Sequence, residues 1–484
     1  MRAKLQKFTR FANSLLPHET EYLLSIQQFE DTDKYSILLR IDQNCRRIDQ
    51  FSPYDVDIDK RKYSHLKNWI KKRLKSIDVD ENFDWMSHLE RQITIDAITP
   101  GEEKKLLKAI RQYEHPLFFF TKFYELLRHY RQFLLIRMRY DDHSLVDQFL
   151  EQYEQAYRKS RSVNEEIHRA TLDIVRQYSE NNAESKQWER WLTGVFYDEE
   201  LDGLNRYQAL IRLIFIGLNY RKFDTLLEKF DYIDELFKQG QYYSKRLLLN
   251  YYSNRLLLHT KFQQLEKASY YGYLSIRGKN HDYILYVNNL CAVLLRRKKY
   301  EEALSLMNEA APEMKNTKNF HNRIGFVAFY AKSLNENGLY KNAENYAESF
   351  LIAYRREVFK YRWHIFFTTY LEALLYQRKF MKVMRVIRKN NLIERDRKYR
   401  DRAVYLPTIA WYYLIAQYKE GEVLWQDLEE ALVEDIIQLS RHPDKRFLLV
   451  DIFRQLQTFL GDKYLVLRAK VDRKAGNVSA LFGS

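Results

Sequence analysis

Punctuation is scarce in this chain: 13 glycines and 7 prolines are spread over 484 residues. Strand-type alternation is hardly visible, so the expected fold is all-α, with helices joined by short loops. Cysteine is scarcer still, and Cys45 and Cys291 form no disulfide framework and have no metal-ligand spacing. A membrane-spanning helix needs roughly 18 consecutive apolar residues. The most apolar stretches here, Leu117–Phe120 and Leu210–Leu218, are short or carry charges. The basic opening Met1–Arg10 leads into no apolar signal core. A soluble cytoplasmic protein without membrane insertion is therefore expected. Phosphate-binding loops, dinucleotide glycine fingerprints, zinc-protease helices, EF-hand loops and nucleophile elbows are all missing. That points away from an enzyme, a cofactor or a resident metal.

What is present is apolar and basic. Apolar residues make up 46% and charged residues 30%, which marks a folded chain. The 38 tyrosines and 29 phenylalanines fit aromatic layers between helices. The net charge of +15 admits an acidic protein, a nucleic acid or an anionic surface as partner. Acidic residues are interleaved throughout, however, so much of this charge belongs to solvated helix faces.

The most informative feature is a repeat. Five phrases recur: Asn219-Tyr-Arg-Lys-Phe223, Leu258-His-Thr-Lys-Phe262, Arg296-Arg-Lys-Lys-Tyr300, Glu336-Asn-Gly-Leu-Tyr340 and Tyr376-Gln-Arg-Lys-Phe380. The closing aromatic advances by 39, 38, 40 and 40 residues. Such a period signals stacked supersecondary units, each too small to bury its apolar face alone. Between Asp282 and Ala311, Leu285, Leu290, Val293 and Leu294 mark one amphipathic helix. Tyr300, Ala303, Leu306, Met307 and Ala310 mark a second, with Pro312 placed to end it. Gly338 stands where a helix C-cap needs a left-handed residue.

A small residue in the turn, an aromatic two positions later and alanine three beyond that resembles the tetratricopeptide (TPR) repeat superfamily. Gly338-Leu-Tyr340-Lys-Asn-Ala343 matches fully and Tyr300-Glu-Glu-Ala303 matches the second half. The other units carry Leu226, Leu265 and Val383 in place of alanine, and the period exceeds that of the family. The resemblance implies a right-handed α-solenoid of antiparallel helix pairs across roughly Leu204–Asn391. The expected organisation is a helical N-terminal region (1–200), a repeat body (201–391), a C-terminal helical cap (392–473) and a flexible tail (474–484). In the first region Ser162 and Glu165 have capping-box spacing, and Thr99-Pro100-Gly101 marks a break.

Three polar clusters suggest chemistry only weakly. Asp141-Asp142-His143 could ligate a metal, but adjacent residues do not share a helix face, and caps explain the acids. Asp55, Asp57, Asp59 and Lys60 have a nuclease-like spacing but no sheet to carry it. His281-Asp282 and Phe320-His321-Asn322 lie at starts of repeat helices, where a cap or packed ring is the plainer role.

Binding surfaces are the stronger expectation. Twelve positions before each closing aromatic stand Ile211, Asn250, Asn288, Ala328 and Thr368; eight before stand Phe215, Asn254, Ala292, Lys332 and Glu372. These offsets share one helix face. By the TPR resemblance, Asn250, Asn254, Asn288 and Lys332, with Arg296 near the turn, form a peptide- or protein-binding groove. The plainer alternative is that these asparagines tie neighbouring helices together. A basic stretch, Arg395, Arg397, Lys398, Arg400 and Arg402, interleaved with Tyr399, suits nucleic acid or an acidic partner. Glu394, Asp396 and Asp401 alternate with it and can pair with its cations. The leading expectation is a non-catalytic adaptor or scaffold, in one variant a peptide-responsive regulator; the alternative is a nucleic-acid or ribonucleoprotein-associated protein. If the alternative holds, the chain is retained on heparin, elutes steeply with salt, and loses retention when Arg395, Arg397, Lys398 and Arg400 are reversed in charge. Retention unaffected by the reversal excludes this stretch.

Overall fold

The computed structural model describes residues 5–48, 50–180, 183–220, 223–398, 405–441 and 443–475. Among them are 25 α-helices, a short 3-10 turn and no strand. The chain divides into two compact units, Met1–Asn280 and His281–Ser484, so the division falls inside the expected repeat body.

One turn is used again and again. The helix pairs Phe120–Ile136/Tyr140–Gln152, Lys245–Lys261/Leu265–Ser275, Tyr283–Arg296/Tyr300–Met314, Phe320–Glu336/Tyr340–Lys360 and Trp363–Tyr376/Phe380–Lys389 are each joined by three residues. In every case the middle turn residue is left-handed: Met138, Gln263, Lys298, Gly338 and Arg378 have φ between 56° and 74°. The residue after it donates its N–H back to a carbonyl in the last helical turn. The bonds are Arg139 N to Leu134 O at 3.1 Å, Gln264 N to His259 O, Lys299 N to Leu294 O, Leu339 N to Leu334 O and Lys379 N to Leu374 O, each at 2.9 Å. This is a Schellman closure, which satisfies orphan carbonyls while reversing the chain.

One expectation shifts in register. Phe262 caps the Lys245–Lys261 helix, and the second helix of that pair begins at Leu265. Leu265 is therefore the counterpart of Tyr300, and the buried Ala268, three residues on, matches Ala303 and Ala343. A pair that the repeat spacing does not reveal, ending its turn at Tyr140, lies inside the expected N-terminal region.

The remaining differences are local. Ser162 lies inside the unbroken Glu154–Glu180 helix rather than at a cap, and Pro312 lies inside Tyr300–Met314 rather than at its end. Thr99 does cap the Pro100–Arg111 helix, with Glu102 closing the box.

Within the first unit, Leu16, His18, Glu19 and Thr20 are buried. His18 lies between Tyr252 Oη at 2.6 Å and Asp234 Oδ1 at 2.9 Å. Tyr243 Oη donates to Glu19 Oε1 at 2.6 Å, and Arg277 donates to the carbonyls of Leu15 and Cys45 at 3.0 and 2.8 Å. The N-terminal segment is thus clasped by residues more than 200 positions downstream, Asp234 and Tyr252 on helices and Tyr243 and Arg277 in the connections beside them. Within the second unit one apolar core runs from Ile324 to Val471 without a break at residue 391.

Helix pairs approach closely through a large–small contact. Leu334, six positions before Tyr340, shares a cluster with Ala343. In the first repeat the sizes are exchanged: Gly217 stands six before Phe223 and Leu226 three after it. A Cβ on Gly217 would meet Leu226 Cδ1 at 2.5 Å and Cγ at 2.6 Å. Gly217→Leu is therefore expected to destabilise the first unit by several kcal/mol through overpacking, of the order of 3 kcal/mol. Adding Leu226→Ala should recover most of the loss, measured as the shift in urea midpoint across the double-mutant cycle.

Candidate functional site

The register of the hairpins decides where the groove candidates stand. Counting back from Leu265 rather than Phe262, the positions twelve and eight earlier hold Ser253 and Leu257. Asn250 and Asn254 are therefore not the counterparts of Asn288 and Lys332. They meet one another in the first unit: Asn254 Nδ2 donates to Asn250 O and Oδ1, each at 3.0 Å, and Tyr207 Oη donates to Asn250 Oδ1 at 2.9 Å.

In the second unit Asn288 is 1% exposed, and its amide donates to Asn322 O of the next repeat at 3.0 Å. It ties first helices together, as the plainer alternative held. Asn335 repeats the tie to Thr369 O at 3.1 Å. A second set falls three residues before the helix-starting aromatic. Asn337 Nδ2 donates to Tyr300 O at 2.9 Å, and Gln377 Nε2 to Tyr340 O at 3.2 Å. Each amide thus reads the carbonyl of the same position one repeat earlier. Arg296 is half-buried on the last turn of its helix.

Lys332 is engaged in a polar knot. Its Nζ lies 2.6 Å from Glu372 Oε1 and 2.7 Å from Glu336 Oε1. Glu372, 1% exposed, also accepts from Gln455 Nε2 at 2.7 Å and Asn335 Nδ2 at 3.3 Å. Tyr412 Oη in turn donates to Gln455 Oε1 at 2.6 Å. Burial pushes the Glu372 carboxyl up, with Lys332 opposing it. Burial also pushes Lys332 down, but the two carboxylates more than offset this and hold it above its usual value. The ammonium is spent on the fold and is not a free groove cation. The sequence did hold a signal for this pair, since lysine and glutamate occupy the same offset in successive repeats; Gln455 gave none.

The basic stretch is only partly described. Arg395 packs over the Phe359 ring at 4.5 Å, Lys398 lies 4.0 Å from Glu394, and Arg397 is exposed. Arg400 and Arg402 lie outside the described residues. No cluster able to hold a metal ion occurs among the described residues. Asp142 pairs with Arg139 at 2.6 Å inside a helix that starts at Tyr140, and Asp59 caps Lys60–Ile77 through Arg61 N at 2.9 Å. Burial pushes both cysteine thiols up to about 12, which makes them poor nucleophiles. No described helix is long and apolar enough to cross a membrane. No family model, curated protein or solved structure matches the chain.

Removing Glu372 leaves Lys332 with Glu336 alone and takes the acceptor from the Gln455 and Asn335 amides. Glu372→Leu is expected to cost about 3 kcal/mol, read from denaturant unfolding. The double variant Glu372→Leu/Lys332→Met should recover much of it. An additive double variant would show that the pair is not coupled.

Proposed function

We propose that the chain is a non-catalytic adaptor or scaffold, a TPR-like right-handed α-solenoid that works in the cytoplasm and captures an acidic peptide or protein partner. The observation that supports this most is the recurrence of one hairpin in five places, with side-chain amides linking the three successive hairpins of the second unit. A unit of that size buries too little apolar surface to stand alone. Stacked copies offer rows of equivalent positions along which an extended partner can lie.

Recognition in this reading falls to exposed positions between the ties, because Asn288 and Lys332 serve neighbouring helices. The regulator variant draws on the clasp of Leu15–Thr20 by Tyr243, Tyr252 and Arg277, which couples the N-terminal segment to the Lys245–Lys261/Leu265–Ser275 hairpin and the connections flanking it.

Affinity capture with the intact chain from its native cell, with and without nuclease, tests the proposal. A protein partner retained after nuclease treatment is expected. Recovery of RNA or DNA, with all partners lost on nuclease treatment, overturns the adaptor reading in favour of nucleic-acid binding.

A further inference from the structure

Arg212 bonds only neutral oxygens, as Arg206 and Arg277 do, but unlike them it lines an open apolar cleft. It projects from the Gly203–Tyr220 helix, half-buried, beside the Glu154–Glu180 helix. Its Nε donates to Thr171 Oγ1 at 2.9 Å and its Nη1 reaches Gln208 O at 3.4 Å; no carboxylate of the described residues pairs with it. Burial alone pushes its pKa down, with no compensating charge. A shielded guanidinium without a counter-charge is costly.

The surroundings are apolar. A cleft of about 240 Å³ is lined by Thr171, Ile174, Val175, Ile211, Arg212 and Phe215. Val175 and Phe215 are 59% and 49% exposed, and Leu172, one turn before Val175, is 45% exposed. Exposed aliphatic and aromatic groups gathered beside one another mark a contact surface rather than a random surface residue. The volume admits one or two side chains and is small for a cofactor. Ile211 and Phe215 also stand at the two offsets, twelve and eight before Phe223, where the repeat pattern places groove residues.

We propose that this cleft docks an amphipathic peptide segment of a partner protein, one that seats apolar side chains on Ile174, Val175, Ile211 and Phe215 and sets a carboxylate against Arg212. This rests on the adaptor reading and specifies its partner. The guanidinium offers its unused N–H groups in a planar fork that fits a carboxylate, and the apolar walls exclude water from that pair. An uncharged apolar partner would bury the guanidinium further without a counter-charge, so the cleft selects for acid.

Fluorescence polarisation with the full-length chain tests this. The probes are a short labelled helical peptide with leucines on one face flanked by glutamates, and its glutamine counterpart. The glutamate peptide is expected to bind about tenfold more tightly, as a charge-assisted hydrogen bond provides, and the preference should shrink with salt. Arg212→Met should abolish the preference while weak apolar binding persists. Phe215→Asp, at an exposed position that leaves thermal unfolding unchanged, should remove binding of both peptides. An unchanged preference in Arg212→Met, or no binding of either peptide to the natural chain, overturns the proposal. Tight binding of the glutamate peptide that ignores both variants also overturns this cleft, yet leaves the adaptor reading standing, since the peptide then sits elsewhere. Concentration-dependent self-association abolished by Phe215→Asp assigns the cleft to a second copy of the chain and likewise overturns it.

Discussion

A helix that must reverse direction within three residues has few ways to do so, and that constraint governs this chain. The left-handed residue in the middle of the turn lets the next N–H reach back to the carbonyl five residues earlier. An L-residue in that conformation costs roughly 1 kcal/mol. Met138, Gln263, Lys298 and Arg378 all bear that strain, and glycine relieves it only at Gly338. Long polar or flexible side chains tolerate the position because they point into solvent. Hence a chain so poor in glycine can still be built from tight hairpins.

The turns set direction; buried amides and ions set register. Asn288, Asn335, Asn337 and Gln377 each satisfy a backbone carbonyl one repeat away, and Lys332 with Glu372 does the same between side chains. Net stabilisation from such groups is modest, since each must first be stripped of water. A slip of one residue, however, would leave several of them buried without partners, and that penalty is large. Apolar stacking supplies the cohesion, at roughly 1.5–3 kcal/mol for each fully buried large side chain. The polar ties choose among the stackings.

The helical character and the repeat were legible because both are periodic. Tyr300, Tyr340 and Phe380 do begin second helices, and Ala303 and Ala343 do lie buried where they were expected. Phe262 misled because an aromatic at a helix end looks the same in sequence as one at a helix start; the true counterpart, Leu265, is aliphatic. The pair whose second helix begins at Tyr140 was hidden by its distance from the regular array. Even so, a leucine six residues ahead of the aromatic links Leu134–Tyr140, Leu294–Tyr300, Leu334–Tyr340 and Leu374–Phe380, and it carries the signal that was overlooked. The groove asparagines could not be placed from sequence, since one amide serves a neighbour helix or a ligand equally well. Arg212 was invisible for the opposite reason: what distinguishes it is a missing partner, and sequence does not display partners.

The clasp on residues 15–20 carries a consequence for biogenesis. His18 and Glu19 emerge from the ribosome first, yet Asp234, Tyr243, Tyr252 and Arg277 are made more than 200 residues later. Synthesis at about 5–20 residues per second leaves the His18 ring and the Glu19 carboxylate waiting ten seconds or more for these partners. Closing so long a loop is also slow in itself. During that interval the polar groups of residues 15–20 are satisfied by water, and the clasp closes only when the downstream segment arrives.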